Sequence, residues 1–281
     1  MDGSICGVWV DDEGRAHTSR RQNDGRRVEA VEPFRPFAWL QAMPAESVTG
    51  VAIERLNSES AYGLLAQADA LENFQGFVRL ARDAGGVNVL RPFESQFLLQ
   101  QRQRLYAELN FPDLRRCQLD IETASTDGGF SDPRLPNDRV LAIGLRQGGE
   151  NRLLVLAEET DAAEKALLVE LNEALAALDP DVIEGHNIFK FDLEYLRQRC
   201  RKHKVPCAWG RFGQNATFRN SRLKVAERWV DFPRCDLPGR AVIDTYLLVQ
   251  LYDITTRELS SYGLKDVAVY FGVTDEDSEE R

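Results

Sequence analysis

The sequence predicts an α/β layered domain from about residue 116 onward, preceded by a smaller α+β domain. Three observations lead there. From Arg116 apolar strands alternate with amphipathic helices, the pattern of a layered α/β domain. Before residue 95 the chain reads instead as short strands, turns and one helix. The chain has 281 residues, 43% of them hydrophobic, which suits about two domains with a sizeable core.

The first section, residues 1–95, reads as an accessory domain. Ile5 to Val10 is a strand, and Asp11-Asp12-Glu13-Gly14 turns into a second, polar one. Glu32 to Leu40 reads as one strand interrupted by Pro33 and Pro36, suited to a sheet edge. Leu71 to Ala84 has helical spacing, with Phe74, Phe77, Val78 and Ala81 on one face. Asn88 to Leu90 looks like a return strand. Residues 96–115 read as a connector with helical character, and the basic run from Gln100 to Arg104 as a solvated face.

In residues 116–281, Cys117 to Ile121, Val140 to Leu145 and Arg152 to Leu156 read as strands, the last two joined by the hairpin signal Gln147-Gly148-Gly149-Glu150. Ala163, Leu167, Leu168, Leu171, Leu175 and Leu178 share one face of a helix that Asp179-Pro180 stops. Val182 to His186 is a further strand, and Leu193 to Lys204 a helix. Trp209 to Asp231 mixes basic and aromatic residues (Arg211, Phe218, Arg222 and Trp229 among them). It reads either as an ordinary two-faced hairpin or as a nucleic-acid contact. Gly239 to Asp244 is a buried strand ending in an acid, with a helix from Thr245 to Tyr252. A last helix from Leu259 carries Ser260 or Ser261 as its cap. The chain ends in a charged run, residues 274–281.

Bulk properties exclude some function classes. No apolar run is long enough to cross a membrane, and Met1-Asp2-Gly3-Ser4 lacks the basic start and apolar core of a signal peptide. The five cysteines are odd in number and form no CxxC pair, which implies a reduced, cytoplasmic setting. A formal net charge of -10 argues against a general electrostatic clamp on duplex nucleic acid. An enzyme that meets nucleic acid through metal ions is still allowed, because the metals supply positive charge locally.

The chemistry centres on Leu119-Asp120-Ile121-Glu122-Thr123. Strand alternation puts Asp120 and Glu122 on one face and Ile121 on the other. Two adjacent carboxylates repel unless water or a cation lies between them, and a hard divalent ion, Mg²⁺ or Mn²⁺, suits an all-oxygen ligand set. Taken alone, the stretch reads equally as an exposed acidic strand end. Asp192, at a helix start 70 positions beyond Glu122, supplies a third acid. Taken singly, its simplest reading is an N-cap, as core packing is for Phe191.

The surrounding residues add a family. Asp120-Ile121-Glu122-Thr123 resembles the first exonuclease motif of family B DNA polymerases, and residues 185–196 resemble their second. Residues 239–244 and 261–268 resemble the strand and helix that follow, and residues 93–98 the link from the N-terminal domain. The order is most similar to bacterial repair-type polymerases. The resemblance implies a ribonuclease H-like fold, a mixed sheet flanked by helices. It also implies 3′–5′ proofreading of single-stranded DNA ends by two-metal hydrolysis. By it, Asp120, Glu122 and Asp192 are the catalytic acids and metal ligands. Ile121, Thr123, Asn187 and Phe191 lie against the terminal nucleotides. The implied partners are a single-stranded 3′ end, primer-template DNA and the remainder of a polymerase chain, with no membrane.

Tyr262-x-x-x-Asp266 has the spacing of the family's third motif, but that motif comes some tens of residues later, so the match reads as a decoy. The chain is therefore expected to be an N-terminal fragment of a polymerase, truncated before its last motif. Two alternatives stand beside this: a stand-alone exonuclease using Asp266 as fourth ligand, and a non-catalytic nucleic-acid-binding module. A zinc site from Cys200, His203, Cys207 and Cys235 is conceivable, with packing the simpler reading. His186 is expected to be packed or solvent-facing rather than a ligand.

Overall fold

The computed structural model describes residues 3–57, 59–83, 85–126 and 128–274. The charged run at 275–281 lies outside them. The chain divides into two compact units, Met1–Asn110 and Phe111–Arg281.

In the first unit, β1 (Ser4–Val10), β2 (Arg15–Arg21) and β3 (Arg27–Pro33) form an antiparallel three-stranded sheet. A second sheet takes β4 (Phe37–Leu40), β5 (Val51–Arg55) and β6 (Leu64–Ala68). After α1 (Leu71–Asp83) it adds the short β7 (Val87–Asn88), in the order β5-β6-β4-β7. The single edge strand expected over 32–40 is thus two strands. Pro33 and Pro36 bracket the break, since neither can donate to a ladder. β4 lies inside its sheet, not at an edge, and both its neighbours run antiparallel to it. Phe74, Phe77, Val78 and Ala81 of α1 are buried against that sheet, as their spacing predicts. The stretch read as a connector begins with α2 (Phe93–Gln100), where Phe97 is buried and Gln96 bonds both the Phe37 amide and the Leu90 carbonyl.

The second unit is built on a mixed five-stranded sheet of β8 (Arg116–Thr123), β9 (Val140–Gln147), β10 (Glu150–Val155), β11 (Val182–Gly185) and β14 (Ala241–Asp244). The order is β10-β9-β8-β11-β14, with β9 antiparallel to β8 and β10, and β11 parallel to β8 and β14. Three helices connect or follow these strands: α3 (Asp161–Leu178), α4 (Asp192–His203) and α5 (Thr245–Thr256). The hairpin of β12 (Thr217–Val225) and β13 (Arg228–Asp236) precedes β14. Leu167, Leu168, Leu171 and Leu175 of α3 join Cys117, Leu119, Ile121, Leu193 and Leu196 in one core.

Two readings change here. Arg211 and Trp209 are buried, so neither meets solvent. Arg211 bonds Asp179 and Asp181 and three carbonyls at the end of α3 and the start of β14. The last helix, α6 (Leu264–Tyr270), starts five residues later than expected and is N-capped by Gly263. Ser261 Oγ accepts from the Gly263 amide instead of capping a helix. No helix among the described residues is long and apolar enough to cross a membrane, and the five cysteines form no disulfide.

Candidate active site

β8 alternates as its sequence demands. Cys117, Leu119 and Ile121 are buried, while Gln118, Asp120 and Glu122 are exposed on the opposite face. Asp120 pairs across the ladder with Gly144, and Glu122 with Ala142. Cross-strand partners share a face, so the two acids stand beside the smallest side chains available. Space is left over that part of the sheet.

Asp192 meets this face from α4. It is the first helical residue, 2% exposed, and its Oδ1 accepts a 3.2 Å bond from the Ile121 amide. The N-cap position is held by Phe191, whose side chain makes no cap, so the N-cap reading considered for Asp192 does not hold. Burial pushes the Asp192 carboxyl up to about 7, and the charges of Asp120 and Asp244 push the same way. None of Asp120, Glu122 and Asp192 takes part in an ion pair among the described residues.

The turn that delivers Asp192 is held from below. Gly185 ends β11 so close to β8 that a Cβ there would stand 2.8 Å from the Leu119 carbonyl oxygen, so a side chain would force the strands apart. Asn187 sits at φ +63°, a left-handed conformation that asparagine tolerates better than most residues. Asp244, 5% exposed at the end of β14, accepts from the amides of Asn187 and Phe189 and also caps α5 through Tyr246 N. The sequence marked Asp244 only as an acid ending a strand; its clamp on this turn is visible only in three dimensions. His186 uses both ring nitrogens, one with Thr245 Oγ1 at 3.0 Å and one with the Tyr262 carbonyl at 2.8 Å, and is packed as expected.

The remaining predicted residues fall around the acids in different ways. The Ile121 side chain lies in the core, so what it offers the site is its backbone amide. Thr123 Oγ1 lies 2.7 Å from Ser131 Oγ in the loop that follows. Phe191 is 36% exposed and leans on Tyr195. The Asn187 side-chain amide has no hydrogen bond among the described residues.

A buried network further along the same face of α4 was not legible in the sequence. Glu164 and Arg199, both fully buried, form a bidentate pair. Burial works against the Glu164 charge, but Arg199, the Val140 amide and His203 outweigh it and hold the carboxyl low. Arg199 also donates to the carbonyls of Pro133, Leu135 and Pro136, and Tyr195 to that of Asp138. The α4 helix thereby fixes residues 133–138 of the stretch that leads into β9.

Two metal readings can be compared with this geometry. Among the described residues, the group whose ligand atoms all lie within 4.8 Å of one another is Asp161, Glu164 and His203, not the three predicted acids. Its charges are already answered by Arg139, Arg199 and Lys202, however. Asp120, Glu122 and Asp192 are an all-oxygen set with no ion-pair partner among the described residues, the donor chemistry that a hard divalent ion takes. The zinc reading finds no support: His203 Nε2 bonds Glu164 at 2.7 Å, and the Cys200 and Cys207 thiols turn to each other in the core.

The mixed sheet flanked by helices, with acids on its central strand and on the adjoining helix, defines a ribonuclease H-like exonuclease fold. The family described as "DNA polymerase family B, exonuclease domain" matches residues 90–267, and the chain belongs to that family. Membership carries divalent-metal use with it. "DNA polymerase 2" of Aeropyrum pernix is 33% identical over 263 residues, covering 90% of this chain and 30% of that protein. "DNA polymerase II" of Escherichia coli is 25% identical over 265 residues, covering 82% and 31%. The family B DNA polymerase structure from Pyrobaculum calidifontis superposes with a TM-score of 0.67 at 21% identity, over 95% of this chain and 39% of that one, and shows the fold. The chain spans less than a third of the length of these two relatives.

Proposed function

We propose that this chain carries the 3′–5′ exonuclease of a DNA polymerase and hydrolyses the terminal phosphodiester of a single-stranded DNA 3′ end. Asp120, Glu122 and Asp192 are its metal ligands. The observation that carries the reading is the pairing of two exposed acids on β8 with a buried acid on α4 that has no cationic partner among the described residues. A buried carboxylate is costly unless a cation balances it, and Asp192 lies one hydrogen bond from the backbone between the other two.

Mg²⁺ or Mn²⁺ bound there would supply an activated water and a stabilised leaving oxygen, the division of labour of two-metal phosphodiester cleavage. The chain's own groups do the rest. The Ile121 amide orients Asp192. Asp244 fixes the turn that presents Asn187, whose free side-chain amide is available to the sugar-phosphate of the terminal nucleotides. Phe191, partly exposed beside Tyr195, offers a ring against which a base can rest. Thr123, bonded to Ser131, ties the end of β8 to its loop.

Tyr262 and Asp266 are outside this machinery in our reading. The Tyr262 hydroxyl donates to Asp253 at 2.9 Å, and its carbonyl is taken by His186. The test is a pair of single strands, one labelled at each end, incubated with Mn²⁺. The proposal expects a 5′-labelled strand to shorten nucleotide by nucleotide and a 3′-labelled one to release labelled nucleoside monophosphate at once. Internal cuts or a 5′-first order of release would contradict it.

A further inference from the structure

On the side of α4 away from the acids lies a groove of about 550 Å³ lined by Pro133, Arg134, Arg197, Gln198, Arg201 and Lys202. Four of the six are cations and none is an acid, in a chain of net charge -10. Arg134, Arg197 and Lys202 are each paired with an acid, Asp132, Glu194 and the exposed Asp161 respectively. Arg201 is exposed, with no side-chain partner among the described residues.

The groove does not end at α4. The Arg197 guanidinium stacks over the Phe218 ring at 4.9 Å, carrying the strip onto β12. Alternation places Asn220, Arg222 and Lys224 on the same face of that strand as Phe218. All three are exposed, and Arg222 stacks over Trp229, itself 54% exposed, at 4.6 Å. Cations thus lie beside two rings: Phe218, half-buried against Trp209, and the exposed Trp229, with the acid Asp231 across the ladder from Arg222.

We propose that this strip is a binding site for the phosphodiester backbone and bases of a single-stranded nucleic acid, beyond the terminal nucleotides that the acids hold. The proposal rests on the hydrolytic reading above for its choice of strand. An acidic peptide would use the cations but not the rings. A single strand uses both, since arginines meet phosphates and every base has a face to stack. The location sets a length requirement. Arg201 lies nine positions past Asp192, about two and a half helical turns, and so on the opposite side of α4 and roughly 13 Å further along it. A strand of three or four nucleotides seated on the acids does not reach it; a longer one does.

The test measures binding of fluorescein-labelled dT20 to the 281-residue chain by anisotropy in EDTA, so that nothing is hydrolysed, with unlabelled dT4 as competitor. Each phosphate contact to a single strand contributes about 0.7 to the slope of log K against log salt. The double variant Arg197→Gln/Arg201→Gln is expected to reduce that slope by about 1.4. It is expected to weaken dT20 about tenfold or more at 50 mM salt and to leave dT4 unchanged. Arg201→Glu, which leaves the Phe218 stack in place, is expected to do the same in smaller degree, with an unaltered melting temperature. An unchanged salt slope, an equal loss for dT4 and dT20, or displacement of dT20 by polyglutamate as effective as by dT40 would overturn the proposal. Length-dependent, arginine-dependent binding by a chain that fails to shorten DNA with Mn²⁺ would uphold the strip and refute the hydrolytic reading.

Discussion

Asp192→Asn is expected to stabilise the metal-free protein at pH 8 while abolishing its metal site. The folded Asp192 carboxyl is pushed up to about 7 from 3.8, chiefly by burial and then by Asp120 and Asp244. In the unfolded chain it ionises near 3.8. Between these values the unfolded state has released the proton and the folded state keeps it, so stability falls as pH rises. Below pH 3.8 the group costs nothing; above about pH 7 the whole penalty is present. Three pKa units correspond to about 4 kcal/mol as a ceiling. For a unit of this size that is a rise in Tm of roughly 8–16 °C at most. Asparagine carries no charge to bury, and its Oδ1 can still accept from the Ile121 amide. Thermal melts of both proteins in EDTA at pH 4, 6 and 8 read the difference directly, because other titrating groups are common to the two. The gain should be absent at pH 4 and grow to pH 8. Added Mn²⁺ should then raise the Tm of the wild type and leave the variant where it is. A gain that is equal at all three pH values, or no gain at pH 8, would refute the electrostatic account of Asp192.

Three further predictions concern the scaffold. Arg199→Met leaves Glu164 buried without its ion pair and should destabilise by about 3–5 kcal/mol in urea melts, and Arg199→Met/Glu164→Leu should recover most of that loss. Gly185→Ala places a Cβ 2.8 Å from the Leu119 carbonyl oxygen and should cost about 1–3 kcal/mol by the same measurement, with reduced Mn²⁺ affinity as β11 moves from β8. Tyr262→Phe removes the bond to Asp253 and should cost about 1 kcal/mol, while both it and Asp266→Ala keep Mn²⁺-dependent hydrolysis within twofold of wild type. A large loss of hydrolysis in Asp266→Ala would restore that residue as a metal ligand.

What the sequence made legible were periodic elements and short motifs. The β8 alternation put Asp120 and Glu122 on one face without any structure, and the apolar stripes named Phe74, Phe77, Val78 and Ala81 of α1 and Leu167, Leu168, Leu171 and Leu175 of α3, all buried. Ala163 and Leu178 at the ends of the α3 stripe are half-buried, and the buried Glu164 and Ala174 were missed. What it hid were pairings between distant residues. Arg211 looks like a surface cation until Asp179 and Asp181 are brought to it, and Glu164 lies 35 positions from Arg199. The late start of α6 has a similar cause. Ser260 and Ser261 are good capping residues, but Asp253 accepts from the amides of Glu258 and Leu259 and from the Tyr262 hydroxyl, and so holds that stretch out of a helix. The clamp by Asp244 on residues 187–189 is likewise a tertiary contact, and no local propensity announces it.

The central claim is that Asp120, Glu122 and Asp192 together hold the metal that drives hydrolysis at a DNA 3′ end. The most direct test compares the Mn²⁺-dependent shortening rate of a 5′-labelled single strand by the wild-type chain and by Asp120→Ala/Glu122→Ala. Loss of even an outer partner of a metal ligand costs 10–100-fold, so removal of two ligands should reduce the rate by at least about 100-fold, with the fold intact by circular dichroism. A double variant that shortens the strand as fast as the wild type, or a wild type with no Mn²⁺-dependent shortening at all, would contradict the account.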